Sequence, residues 1–315
     1  VTIAPFMIDP RDLLLPWSGD AMPIGVIDLD AARDEGATLA LPPFPLIGIG
    51  DPLHPIAWQM DALIEAPVTL EAILEAVRDQ PAAAAVLVQL LRLIEGMELQ
   101  AALVAESMAY GLLQGSDGHA QWLAAQTVAS TAPPGRVVME RREKVLDIRL
   151  DRAAAHNAID RIMRDGLREA FELAALDPEI ERITLRGAGK TFSLGADLSE
   201  FGTTRDPATA HAIRMQTLPA HVMARCCHKL EVHVQGGCVG SGLEMAAFGR
   251  RITASPTAWF HLPELAMGVI PGAGGCVSLS RRIGRQRAAL MMLSGKRINA
   301  RIALDWGLID AIVDD

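Results

Sequence analysis

The alternation of apolar and polar positions divides the chain into three stretches with different grammars. Up to residue 55 the apolar runs are short and are interrupted by Pro5, Pro10, Pro16, Pro23, Pro42, Pro43, Pro45, Pro52 and Pro55. Long helices cannot run through that spacing, because each proline removes an amide donor and collides with the preceding turn. Two runs between the prolines, residues 24–29 and 46–49, predict strands of a small sheet. Beyond Pro67 the period becomes helical. Thr69 suits the N-cap of a helix reaching Arg78, and Pro81 suits the first turn of another. Apolar residues then recur at helical spacing (Leu87, Leu90, Leu91, Ile94, Met97) as far as Gln114, with Gly96 weakening the case for one unbroken helix and Gly115 as its stop. Ser130-Thr131-Ala132-Pro133-Pro134-Gly135 has the composition of a linker.

After the linker, strand and helix alternate. Residues 145–150 predict a strand, and residues 160–176 predict an amphipathic helix with Ile162, Met163, Leu167, Ala170, Phe171 and Ala174 on one side. Strands are expected again at 180–186 and 231–235, the latter running into a glycine cluster. Strands joined by helices indicate an α/β unit with a mainly parallel sheet.

Charge sharpens the division. The net of −9 separates into −13 over residues 1–135 and +4 over the rest, which suggests two units with different tasks. The basic part suits an anionic ligand such as a nucleotide phosphate; an acidic solvated surface on the first part accounts for the same numbers. Seven Phe, five Trp and one Tyr are too few for a stacking platform on single-stranded nucleic acid. The longest apolar stretch, residues 82–94, contains Gln89 and Arg92 and is too short to span a bilayer. No basic start with an apolar core and small-residue cleavage site is visible, so the expected location is cytoplasmic. Cys226, Cys227, His228, His233 and Cys238 lack the spacing of a metal-ligand set, so no metal is expected.

Three segments are suited to chemistry. Gly236-Gly237-Cys238-Val239-Gly240-Ser241-Gly242-Leu243-Glu244 follows a strand and opens a helix. Its first amides have no internal acceptor and could hold a negative oxygen. A tight turn whose first-turn Glu complements the helix dipole reads the same way. Glu264 lies between apolar runs and ahead of Gly268 and Gly272, as a buried proton-transfer acid or a surface-turn glutamate would. Gly187-Ala188-Gly189-Lys190-Thr191-Phe192-Ser193-Leu194-Gly195-Ala196-Asp197-Leu198 places small residues where backbone could approach a ligand.

Together and in this order these segments resemble the crotonase (enoyl-CoA hydratase/isomerase) superfamily, from Val137 to the end of the chain. The match includes Leu150-Asp151-Arg152, His156-Asn157-Ala158, Ser193 to Leu198, Gly240 to Glu244, Pro263-Glu264, Gly268 to Gly275, Leu293 to Ala300 and Trp306 to Asp310. The resemblance implies a spiral of ββα units, here preceded by a mainly helical extension over 1–135, and an acyl-CoA thioester as substrate with no cofactor. It places the oxyanion hole at the backbone N–H groups of Ala196 and Ser241. It makes Glu244 and Glu264 the catalytic pair around one water, which Gly272 helps position, and it puts Leu194, Gly195, Asp197 and Leu198 against coenzyme A. Two acids around a water are what hydration needs, since one accepts a proton while the other gives one. Enoyl-CoA hydratase is therefore the expected activity. Isomerisation, cofactor-free oxygenation of an aryl-acetyl-CoA and a non-catalytic scaffold are the alternatives. A homo-oligomer, trimer or hexamer, is implied as well. The chain departs from the family at Ala154 and Ser199, where many members carry lysines for the CoA phosphates. It also ends at Asp315, where relatives continue into helices that close the acyl pocket. Either the extension closes the pocket instead or the pocket is unusually open.

Overall fold

The computed structural model describes residues 3–33, 36–126 and 132–314. The proline-rich stretch forms a three-stranded sheet of β1 (Gly25–Asp28), β2 (Leu46–Ile49) and β3 (Ala62–Leu63), with every pairing parallel. Its inner face carries a small apolar cluster of its own, including Leu13, Ile27, Leu29, Phe44, Leu46 and Met60. Four helices follow: α1 (Leu70–Asp79), α2 (Pro81–Ile94), α3 (Leu99–Gln114) and α4 (Asp117–Ala125). The side chain of Thr69 accepts from the amide of Ala72, and Pro81 opens α2. Gly96, at a φ of 77°, separates α2 from α3, so the helical period read through it belongs to two helices. The expected linker is described only from Ala132; Ser130 and Thr131 lie outside the described residues.

The second part supplies β4 (Arg136–Arg142), β5 (Val145–Asp151), α5 (Arg161–Leu176), β6 (Arg182–Gly187), α6 (Pro207–Thr217), α7 (Ala220–Cys226), β7 (Leu230–Val234), β8 (Gly237–Val239) and α8 (Ser241–Ala246). It continues with β9 (Arg251–Ala254), β10 (Trp259–His261), α9 (Gly275–Ile283), α10 (Arg285–Ser294), β11 (Ile298–Asn299), α11 (Ala300–Asp305) and β12 (Ala311–Ile312). Six strands form one sheet in the order β12-β9-β7-β6-β5-β4, parallel except for the β4–β5 hairpin. A smaller sheet, β11-β10-β8, stands beside it. This is the mixed α/β class with turns of strand-strand-helix that the resemblance implies. Asp160 caps α5 by accepting from the amide of Met163. Met163, Leu167, Ala170, Phe171 and Ala174 of α5 are buried, whereas Ile162 is 56% exposed. One residue before Met163 is about 100° round the helix, which turns Ile162 off the buried stripe. The strand expected at 180–186 begins two residues later, at Arg182.

The change of charge balance at residue 135 is not a boundary of the core. One apolar cluster runs from Ile24 and Leu74 through Leu91 and Leu103 to Leu185, Phe260 and Leu293. The charge asymmetry serves this junction: Arg285 pairs with Glu95 (3.0 Å) and Asp61 (3.4 Å), and Arg287 with Glu65 (2.9 Å). Asp61, buried between two strands, is also held by Arg92 at 2.5 Å. Among the described residues, no helix is long and apolar enough to cross a membrane.

Candidate active site

Two loops of the second part converge side by side. In the first, Asn157 is buried and its side-chain nitrogen donates to the carbonyls of Ala188, Thr191 and Phe192. Ser193 donates its hydroxyl to the carbonyl of Asn157. The amides of Ser193 and Asp197 find acceptors in Gly237 and Ile159. Ala196 lies between these bonded neighbours, and its own N–H donates to no acceptor among the described residues. In the second loop Gly240 leaves β8 at a φ of 49° and ψ of −129° and starts α8. A Cβ on Gly240 would stand 2.8 Å from Oε1 of Glu264 and 3.7 Å from the Cα of Gly195, so only glycine lets the loops approach this closely. The N–H of Ser241, first in α8, likewise has no protein acceptor among the described residues.

The two acids sit in different environments. Glu244, 2% exposed, accepts through one oxygen, Oε2, from the amides of Ala273 (2.6 Å) and Gly275 (2.8 Å). Burial pushes its pKa up to about 7, against the pull of those two amides. Glu264, 9% exposed, opens a short 3-10 turn closed by Gly268 at a φ of 70°. Its Oε2 is buried without a hydrogen-bond partner. Desolvation first, and the charge of Glu244 second, hold Glu264 well above the ordinary carboxylate range. Donated bonds favour the ionised form and burial favours the neutral one. Glu244 is therefore the member built to be the carboxylate, and Glu264 the member built to keep its proton.

Both acids line one cavity of 910 Å³, together with Leu194, Gly195, Ala196, Asp197, Leu198, Ser241 and Gly272. The structure thus brings every site residue named from the sequence to one place. Asp197 is the exception in orientation: its carboxylate is committed to Arg152 (2.7 Å) and Ser199, which leaves it a support for the loop. The cationic side chains along the described walls are Arg161, Arg164 and Arg214.

The opposite wall comes from the extension. Tyr110 and Gln114 of α3 and Trp122 of α4 line the cavity, so the first part of the chain contributes to its wall. Tyr110 lies against Gly272, where a Cβ would fall 2.2 Å from its ring. Trp122 packs edge-on to Phe201 at 5.7 Å. Glu106 of α3 is 2% exposed and accepts from the amides of Gly274 (2.7 Å) and Val277 (3.3 Å). Burial, and then the charge of Glu244, raise its pKa well above the usual range. Glu106 and Glu244 thus grip alternating amides of the loop entering α9. Neither Glu106 nor Tyr110 was singled out from the sequence. The available signal was one acid three residues past Leu103, on the buried stripe of an otherwise uncharged helix.

A crotonase-type fold with paired buried acids beside two unengaged amides defines the class, and comparisons with known proteins give the family. Residues 140–315 match the model of the enoyl-CoA hydratase/isomerase family, and the chain belongs to that family. It is 35% identical over 176 residues to the 2,3-dehydroadipyl-CoA hydratase of Escherichia coli K12, covering 56% of this chain and 68% of that one. It is 33% identical over 179 residues to a mevalonyl-coenzyme A hydratase of Beauveria bassiana, covering 54% and 64%. The crystal structure of an enoyl-CoA hydratase from Thermoplasma volcanium GSS1 superposes with a TM-score of 0.52 at 34% identity, over 57% of this chain and 72% of that one. The chain thus spans about two thirds of the length of these relatives, all within its second part.

Proposed function

We propose that the protein is an enoyl-CoA hydratase, adding water reversibly across the double bond of a 2-enoyl-CoA. The observation that carries this reading is the pair of buried acids in one cavity, one braced by two amides and the other with an unpartnered oxygen. In the forward direction the Glu244 carboxylate takes a proton from water while the water oxygen bonds to C3. The double-bond electrons move toward the thioester oxygen, which becomes an enolate held by the N–H groups of Ala196 and Ser241. Glu264 then gives its proton to C2. Donors fixed in advance stabilise the enolate more than the neutral carbonyl, so they lower the barrier rather than merely tighten binding. Leu194, Gly195 and Leu198 form the wall against which coenzyme A would lie, and no metal or redox cofactor takes part. The family resemblance also supports a trimer or dimer of trimers.

The test is loss of the conjugated thioester absorbance of crotonyl-CoA. The full chain should hydrate it, and Glu264→Gln should bind the thioester but leave it unhydrated. Calorimetric binding without hydration by the unmodified protein, across short, long and aromatic enoyl-CoAs, would overturn the assignment.

A further inference from the structure

The acyl wall holds a cation that the hydration chemistry does not use. Arg214, on α6, is half-buried and lines the cavity. It forms no ion pair with any acid among the described residues. Its Nε donates to Oγ of Ser107 (3.0 Å), one terminal nitrogen to Oε1 of Gln114 (2.5 Å) and the other to the carbonyl of Ser107 (3.0 Å). These acceptors are all on α3 and all neutral. A guanidinium carries five N–H donors, so one on each terminal nitrogen is left over. Glu106, on the same helix as these acceptors, spends its oxygens on the amides of Gly274 and Val277. Gly111 makes the approach possible, since a Cβ there would come within 3.3 Å of the guanidinium. The guanidinium also lies over the ring of Tyr110, 4.7 Å from its centroid.

Position decides what such a cation meets. The Tyr110 ring touches Gly272 and lies under Arg214, so one ring links Arg214 to the loop that carries Gly272. Arg214, Tyr110, Gly272 and the two acids all line the same cavity. In the acyl-CoA reading, a chain running past the acid pair would meet Tyr110 before Arg214. Arg161 and Arg164 stand elsewhere on the rim, at the first turn of α5, where Arg161 is exposed to solvent. A half-buried guanidinium with spare donors and no carboxylate partner among the described residues is costly to keep unless a ligand supplies the anion, and a planar fork of donors matches a carboxylate.

We infer that Arg214, held by Ser107 and Gln114 and backed by Tyr110, is a specificity residue that receives a carboxylate at the far end of the acyl chain, so that the preferred substrates are ω-carboxy enoyl-CoA thioesters. This rests on the acyl-CoA reading above, but its test needs no turnover. Calorimetry on the full chain compares two saturated thioesters of equal chain length, hexanoyl-CoA and its ω-carboxy counterpart adipoyl-CoA. A charged hydrogen-bond pair predicts binding of adipoyl-CoA tighter by about ten- to a hundredfold. Arg214→Gln should abolish that ratio while leaving hexanoyl-CoA binding unchanged, and Arg214→Lys should restore part of it. Equal binding of the two by the unmodified protein would overturn the inference, and this arm does not depend on any variant folding. Equal weakening of both thioesters in Arg214→Gln would assign the cation to the CoA phosphates and overturn it too. Hydration of crotonyl-CoA with no preference for adipoyl-CoA would sink the inference and spare the hydratase. A preference for adipoyl-CoA without hydration of its 2-enoyl form would do the reverse.

Discussion

The two walls of the cavity are made in different ways. On the side of the second part, the functional groups are backbone amides and acids on short loops, each loop locked by its neighbours: Ala196 between bonded residues, Ser241 after a glycine turn, Glu244 on two amides. On the side of the extension, Tyr110, Gln114 and Trp122 are side chains on the faces of helices. Locked amides suit charge stabilisation, which tolerates little misplacement; helix faces suit enclosure and choice of acyl chain. The proposed chemistry thus lies on one wall, and changes on each should have different signatures.

The largest effect should come from Glu264→Gln, lowering kcat for crotonyl-CoA about 10²- to 10⁴-fold with little change in thioester affinity. Glu244→Gln should be similarly slow, and the pair separates by pH. Glu244 acts as carboxylate, so the rate should rise with pH through about 7 and fall at higher pH as Glu264 loses its proton. In Glu244→Gln the rising limb should vanish from steady-state profiles. A next tier tests the contact between the walls. Gly272→Ala places a methyl inside the Tyr110 ring and should lower kcat/KM by about tenfold or more, since a small misplacement near the reacting atoms is costly. Tyr110→Leu in the same chain should recover most of it; additive losses in that double-mutant cycle would refute the contact.

Stability gives a smaller signal of defined sign. Glu244 is raised in the folded state from its ordinary 4.5 to about 7. Its protonated form therefore stabilises the fold fully below the unfolded value, and that contribution is lost as pH rises from about 4.5 through about 7. Glu244→Gln keeps an acceptor for both amides and removes the titration. Its Tm should therefore fall less than that of the unmodified protein across this window. The smallest effect on activity is expected from Phe44→Ala, in the separate cluster of the proline-rich sheet, where Trp17 packs edge-on at 5.5 Å. It should lower stability by about 3–5 kcal/mol yet leave kcat within about twofold, because among the described residues no cavity-lining one precedes Tyr110.

The motif-bearing wall was legible in the sequence because its function depends on local features: glycines that permit a turn, a helix start, an acid at fixed spacing. Even Arg152 and Asn157, quoted only as part of a motif, have local work in tying down the segment 188–198. The other wall was not legible. Glu106 contacts amides some 170 residues away along the chain, and Tyr110 meets Gly272 only through the packing of α3 beside α9; periodicity reports which face is buried, not what it is buried against. The strong acidity of the first part was visible, but its partners, Arg285 and Arg287 on α10, could not be paired from composition. Ile162 shows the limit of the helical period near a helix start, where the apolar stripe has not yet been set.

The grip of Glu106 on Gly274, across 168 positions of sequence, bears on how the molecule is born. α3 leaves the ribosome long before the segment it is to hold has been translated, so during most of synthesis this carboxylate remains hydrated and ionised. It surrenders water only when residues 274–277 arrive and dock. This side of the cavity cannot be completed before residues 274–277 have been made, and a nascent chain arrested earlier would present Glu106 with nothing yet to clasp.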